Sequence, residues 1–189
     1  FSATRLAVKG LKNTDVLVCP PNIYLQYLAK LDYPKNLFLA SQNIATEQKG
    51  ALTGEVSASM VKNLDINFTL VGHSERRAMG ETNEIVRKKL EAAFNNGLTP
   101  ILCIGEQVRD KDGTHLEFIK SQIKECLTGI QKKNLVGLLV AYEPVWAIGK
   151  SYQDAMDATD VHETTLFIKK VAGEFFGKDI ADSFRILYG

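Results

Sequence analysis

Phe68-Thr69-Leu70-Val71-Gly72-His73-Ser74-Glu75-Arg76-Arg77 sets a short apolar, β-prone run against a glycine, then a histidine, a hydroxyl, a carboxylate and two arginines. Buried parallel strands read as continuous apolar runs, and ligand chemistry gathers beyond their carboxyl ends. The stretch therefore predicts a buried strand that ends at a reactive rim. A second run, Gly137-Leu138-Leu139-Val140-Ala141-Tyr142-Glu143-Pro144, delivers a carboxylate in the same way. A histidine and a glutamate, each at a strand tip, make a proton-transfer pair.

Outward from these two runs, apolar and amphipathic segments alternate. Strands are expected at residues 15–19, 37–41, 68–72, 100–104, 138–143 and 184–188. Helices are expected at 2–9, 22–31, 57–64, 81–96, 115–132 and 157–176. Thr82 and Asn83 are candidate caps for the fourth helix, and Gly97 closes it. Strand–helix alternation without hairpin signals means βαβ crossovers and a parallel sheet, so the class is α/β. No linker or low-complexity tract divides the chain, and residues 1–189 are expected to form a single domain. Two layouts fit, an open doubly wound sheet and a closed (β/α) barrel. Reactive side chains at several different strand ends favour the barrel, because a doubly wound sheet concentrates chemistry at one switch point. No GxGxxG or Walker pattern supports nucleotide binding.

The 189 residues are 45% hydrophobic and 24% charged, enough apolar content for a core. A formal net charge of +1 gives no bulk electrostatic case for nucleic acid or membrane, and neither is expected as a partner. No apolar run reaches the ~18 residues of a membrane span, and residues 1–5 do not read as a secretory signal. The three cysteines, Cys19, Cys103 and Cys126, have no metal-site or CxxC spacing. An odd count of that kind suits reduced thiols and a cytoplasmic location.

His73 alone is more often a structural hydrogen-bonder than a catalyst. Glu75, two residues on, raises the catalytic reading, because a carboxylate there can orient an imidazole or relay a proton. Glu75-Arg76-Arg77 also reads as a surface ion-pair cluster of small energetic value. Glu143 ends an otherwise apolar strand, and apolar walls strengthen a carboxylate as a general base. After it comes Pro144-Val145-Trp146-Ala147-Ile148-Gly149-Lys150, apolar bulk in a loop position. Such a segment makes sense as a lid that closes over a ligand and excludes water. Pro144 stiffens one hinge, and Gly149 can turn a backbone N–H toward an anion. The long polar loop after residue 41, with Gly50 and Gly54, is either a flexible loop or an arm that docks on a partner. His115 and His162 fall on expected helices and receive no role.

Taken in order, Cys-Pro-Pro at 19–21, Gly-Ala-Leu-Thr-Gly-Glu-Val-Ser at 50–57, Val-Gly-His-Ser-Glu-Arg-Arg at 71–77, Cys-Ile-Gly-Glu at 103–106, Ala-Tyr-Glu-Pro-Val-Trp-Ala-Ile-Gly at 141–149 and Ile-Leu-Tyr-Gly at 186–189 closely resemble the triosephosphate isomerase family. The resemblance spans essentially the whole chain. It implies a TIM (β/α)8-barrel, here incomplete, with about six parallel strands matching the family's second to seventh. It implies a phosphorylated triose as substrate, a place in glycolysis and gluconeogenesis, and neither metal nor organic cofactor. By resemblance Glu143 is the base, His73 the neutral electrophile, and Glu75 the carboxylate beside the family's active-site lysine. Gly149 and Gly189 are phosphate-binding positions, and Cys103, Glu106 and Tyr188 stand behind the site. Thr53, Glu55 and Arg76 are subunit-interface residues, with a homodimer as the family's assembly.

Three departures shape the expectations. No Asn-Trp-Lys pattern occurs in the 189 residues, and the family's lysine has no counterpart. Gly189 stands where the family continues Tyr-Gly-Gly-Ser, so an N- and C-terminally truncated form is expected. Lys150-Ser151-Tyr152 replaces the family's Thr-Gly-Lys after the lid glycine, altering that hinge. The expectation is a weak or inactive isomerase, or else an inactive isomerase-like scaffold that self-associates through unpaired strand edges.

Overall fold

The computed structural model describes residues 1–149 and 156–189. Each of the six apolar runs forms a strand: β1 Val16–Val18, β2 Leu37–Ser41, β3 Phe68–Val71, β4 Thr99–Ile104, β5 Leu139–Tyr142 and β6 Arg185–Tyr188. They form one sheet in chain order, β1 to β6. Sequential order is the barrel pattern; a doubly wound sheet reverses its order at the switch point. The chain is α/β with six of the strands of the TIM-barrel fold. It divides into two compact units, Phe1–Leu70 with Ala92–Pro100, and Val71–Glu91 with Ile101–Gly189.

In the first unit, β1 runs parallel to β2 with Val16 opposite Leu37. β2 runs parallel to β3 with Ser41 opposite Thr69. Helices α1 (Ser2–Lys9), α2 (Asn22–Ala29) and α3 (Ala58–Lys62) accompany these strands. Leu25 and Leu28 of α2 pack with Leu39, Ile44, Val61 and Ile66 in a single apolar cluster. Within the sheet the Ser41 hydroxyl donates to Thr69 Oγ1 at 2.7 Å, and both residues are fully buried. Thr69 Oγ1 also reaches the Leu70 carbonyl at 3.2 Å, so removing its partner strands only part of its bonding capacity. Ser41→Ala is expected to lower unfolding stability by ~1 kcal/mol, read as a shift in the urea midpoint with an unchanged slope.

In the second unit, β4 runs parallel to β5 with Cys103 opposite Ala141, and β5 parallel to β6 with Tyr142 opposite Tyr188. β4 is buried from Pro100 to Ile104. Helix α6 (Thr114–Leu127) buries Ile119, Gln122, Ile123 and Cys126, the i, i+3, i+4, i+7 stripe of a core-facing helix. Helix α8 (Ala158–Phe176) does the same through Thr164, Ile168, Val171 and Ala172.

Element boundaries differ from expectation where local chemistry intervenes. The helix expected over 115–132 stops at Leu127, because Thr128 turns extended and Gly129 takes φ +86°. Lys132–Leu135 then forms a separate short helix, α7. The start of α6 is set by Asp110, which accepts from the N–H groups of Thr114 and His115 at 3.0 and 2.9 Å. Helix α5 spans Asn83–Asn95, with Thr82 Oγ1 accepting from Ile85 N–H at 3.3 Å as its cap. Two short helices lay outside the sequence reading, α4 (Ser74–Ala78) and α9 (Lys178–Ser183). No helix among the described residues is long and apolar enough to cross a membrane.

Candidate active site

Gly72 ends β3 at φ +74°, the left-handed region that glycine enters freely. Space demands glycine there as well, since a Cβ would stand 2.9 Å from Val86 Cγ2. This turn redirects the chain into α4, whose cap position is His73. The Glu75 N–H donates to His73 Nδ1 at 3.3 Å. A backbone N–H can only donate, so Nδ1 must accept. In the neutral ring the proton is therefore on Nε2. It is the backbone of Glu75 that orients the ring; the side chain is exposed.

Nε2 in turn lies 3.4 Å from Glu143 Oε1, with the two side chains 30% and 13% exposed. The other carboxylate oxygen, Oε2, accepts from the Ser74 N–H at 3.4 Å. Both contacts sit beyond the usual 2.7–3.2 Å range. Neither contact is short enough to pin the carboxylate in one position. A cleft of about 390 Å³ opens beside it, lined by Gly72, Ser74, Arg77, Cys103, Glu143 and Val145 among others.

Arg77 ties this region together. It donates to the Gly72 carbonyl at 2.7 Å, to Asn83 Oδ1 at 2.7 Å and to the Cys103 carbonyl at 3.3 Å. Its neighbour Arg76 pairs with Glu81 at 2.7 Å, and Lys89 reaches the same Glu81 oxygen at 2.5 Å. Burial opposes ionisation of Glu81, but hydrogen bonds from Lys89 and Arg76 outweigh it and hold its pKa below the usual carboxylate range.

Behind Glu143 lies a buried carboxylate, Glu106, 1% exposed. It accepts from Tyr142 Oη at 3.0 Å, Trp146 Nε1 at 2.9 Å and Arg109 Nη1 at 3.3 Å. Burial, and then the charge of Glu106, push the Tyr142 phenol pKa well up, so it stays a donor. Trp146 belongs to a 3₁₀ turn, Val145–Ala147, and Val145 N–H donates to the Glu106 carbonyl at 3.0 Å. The first turn of the expected lid is thus anchored to Glu106. Pro144 is buried, Ile148 is 54% exposed, and Gly149 ends the turn at φ +75°. Lys150 lies outside the described residues.

The second unit brings together His73, Glu143, Cys103, Glu106 and the Val145–Ala147 turn where the lid is expected to start. Tyr188 is 46% exposed on β6, its ring 6.2 Å from that of Tyr142. Gly189 N–H donates to the Tyr142 carbonyl at 3.1 Å. Thr53 and Glu55 are exposed in a loop of the first unit. Sequence reasoning assigned nothing to Gln122, Arg109 or Thr164, and it left Arg77 as part of a charge cluster. Among the described residues no group of three His, Cys, Asp or Glu side chains is placed to hold a metal ion.

The sequence model of the family described as triosephosphate isomerase matches residues 2–189. The chain belongs to the triosephosphate isomerase family. Triosephosphate isomerase of Dictyoglomus thermophilum is 38% identical over 183 residues, 96% of this chain and 73% of that protein. The enzyme of Thermoanaerobacter sp. is 39% identical over 184 residues, again 96% and 73%. That of Clostridium perfringens is 40% identical over 177 residues, 93% of this chain and 71% of its own length. The chain therefore spans about three quarters of the length of these isomerases. Both ends of the matched region enclose the strand tips that carry His73 and Glu143.

Proposed function

We propose that the chain carries the proton-transfer centre of an aldose–ketose isomerase acting on dihydroxyacetone phosphate and glyceraldehyde 3-phosphate. The observation that carries this is the 3.4 Å approach of His73 Nε2 to Glu143 Oε1, with Nδ1 already occupied by the Glu75 N–H. A base and a neutral N–H donor then share one space. Glu143 takes a proton from the hydroxymethyl carbon of dihydroxyacetone phosphate. His73 Nε2–H bonds to the neighbouring carbonyl oxygen as charge moves onto it, giving an enediolate. Glu143 then returns the proton to the adjacent carbon, while the hydroxyl proton on the first carbon's oxygen passes by way of His73 Nε2 to the former carbonyl oxygen. The first carbon becomes the aldehyde, the second carries the hydroxyl, and no net redox change occurs. Glu143 and His73 supply this chemistry without a cofactor, in line with the family's place in glycolysis and gluconeogenesis. Pro144–Gly149 begins a lid that excludes water and protects the enediolate, and Gly149 and Gly189 offer backbone donors to the phosphate.

Residues 1–189 are read as one partial barrel domain, a reading supported by a family match that runs through both compact units. Thr53, Glu55 and Arg76 are read as the surface of a homodimer. Cys19, Cys103 and Cys126 are free thiols, which supports reading the protein as cytoplasmic.

Expressed by itself, the 189-residue polypeptide is expected to turn over slowly. It has no Asn-x-Lys pattern to supply the family's cation, and each preorganised donor missing from a developing oxyanion costs ~10²–10³ in rate. Remote phosphate binding drives the chemical step, so any weakening of it falls on turnover as well as on affinity. A coupled assay beside the Dictyoglomus enzyme checks this, and equal rates would contradict it. The second reading is an inactive, self-associating scaffold. It is favoured by β6, where Leu187 and Tyr188 are 48% and 46% exposed, and light scattering together with zero isomerisation would select it.

A further inference from the structure

We infer that Gln122, on α6, is a positioning residue for the base Glu143, acting through the Ile104–Gly105 peptide group. The inference rests on the reading of Glu143 as the base. Gln122 is a polar side chain in the buried stripe of α6, 1% exposed among Ile119, Ile123 and Cys126. Its Oε1 accepts from the Gly105 N–H at 2.9 Å. That N–H belongs to the same planar peptide unit as the Ile104 carbonyl, and the carbonyl accepts from the Glu143 N–H at 2.8 Å. In a trans peptide the C=O and N–H point in opposite directions. One rigid plate thus joins the side chain of Gln122 on one side to the backbone of Glu143 on the other. The plate cannot rotate to rescue one bond without losing the other.

Gly105 makes the coupling tight. A Cβ on residue 105 would stand 1.8 Å from the Glu143 carbonyl oxygen and 2.5 Å from its carbon. The backbone of the base is therefore seated directly against this peptide, with no side chain between to absorb movement. Two residues further on, the Val145 N–H bonds to the Glu106 carbonyl at 3.0 Å, so the ladder continues past the end of β5. The plate fixes where Glu143 leaves the sheet, and hence where its carboxylate hangs relative to His73. A displacement of about 1 Å in a reacting group is enough to cost ~10²-fold in rate.

The test reads geometry without requiring turnover. Proton–nitrogen correlation spectra of nitrogen-labelled protein report both ring nitrogens of His73 through its non-exchanging ring protons. A Glu143→Ala chain marks the Nε2 position with no carboxylate present. Gln122→Met, which keeps bulk but removes the acceptor, is expected to move the Nε2 resonance toward that mark. Gln122→Glu, which keeps an acceptor oxygen, is expected to leave it in place. If the methionine variant does not fold, Gln122→Asn withdraws the acceptor by one methylene and is expected to give the same shift. A methionine or asparagine variant with an unmoved Nε2 and a lowered melting temperature would make Gln122 merely structural and overturn the proposal. So would a glutamate variant displaced as far as the methionine one. An unsubstituted chain already at the Glu143→Ala mark would instead refute the His73–Glu143 pairing itself.

Discussion

Glu143→Gln is expected to reduce isomerisation by the 189-residue chain by ~10²–10⁴-fold, the usual contribution of a positioned general base. The amide has nearly the same shape as the carboxylate. Its oxygen can still accept from the Ser74 N–H or from His73 Nε2–H, the contacts Glu143 makes at 3.4 Å. The fold should therefore be unaffected and the melting temperature unchanged. What disappears is the capacity to accept a proton from carbon. The loss should appear in kcat with KM nearly constant, the signature of an interaction made only in the transition state. Glu143→Asp keeps the charge but retracts it by one methylene, and ~10²-fold is expected from the misplacement. A glutamine variant with undiminished turnover would remove Glu143 from the chemistry.

The largest expected effect on stability follows from Glu106→Leu. The wild-type carboxylate is 1% exposed and satisfies Tyr142, Trp146 and Arg109 together. Leucine leaves a guanidinium, a phenol and an indole N–H without that acceptor. Arg109 keeps a contact to Thr164 Oγ1 at 3.4 Å, and Tyr142 Oη one to Met156 Sδ at 3.6 Å, but neither neutralises charge. Breaking one side of a buried charged network of this kind costs about 3–5 kcal/mol. The denaturant midpoint should fall accordingly. Trp146 is the only tryptophan in the chain, so its fluorescence reports the Val145–Ala147 turn directly. In Glu106→Leu the emission should move to longer wavelength before global unfolding, as the indole loses its anchor and meets water. An unshifted emission with a midpoint within 1 kcal/mol of wild type would mean that the carboxylate does not hold the turn.

The strands were legible because buried parallel strands leave a continuous apolar signature. β2, Leu37–Ser41, has the bounds that its run of residues suggests, and the other strands differ only at their ends. His73 and Glu143 stood out as candidates because each follows an apolar run at a strand tip, and the fold brings their side chains to 3.4 Å. α4 was not, since Ser74–Ala78 is too short to show a period, and its start depends on the Gly72 turn and the His73 cap. The contact between Glu75 and the imidazole was half legible: the sequence placed the residue beside the ring, but its backbone N–H makes the bond. The single helix expected over 115–132 failed at Thr128-Gly129, where a positive-φ glycine outweighed an amphipathic pattern. Glu106 stood out only by resemblance. Its partners Tyr142, Trp146 and Arg109 lie 36, 40 and 3 residues away, and no spacing rule joins them. Gln122 did leave a signal, a lone amide in the stripe Ile119, Ile123, Cys126. A buried polar residue at a core position implies a backbone group that needs it. Which one it serves depends on how α6 packs against the end of β4, and that is tertiary information.

Affinity labelling of the base tests the account most directly. An α-halo ketone bearing a phosphate ester places an electrophilic carbon where the substrate's hydroxymethyl carbon would sit. Peptide mass spectrometry after limited exposure should find one ester, on Glu143, formed more slowly in the presence of inorganic phosphate and absent from Glu143→Gln. Alkylation spread over Cys19 and surface carboxylates, with Glu143 unmodified, would contradict the assignment of His73 and Glu143 as the proton-transfer pair.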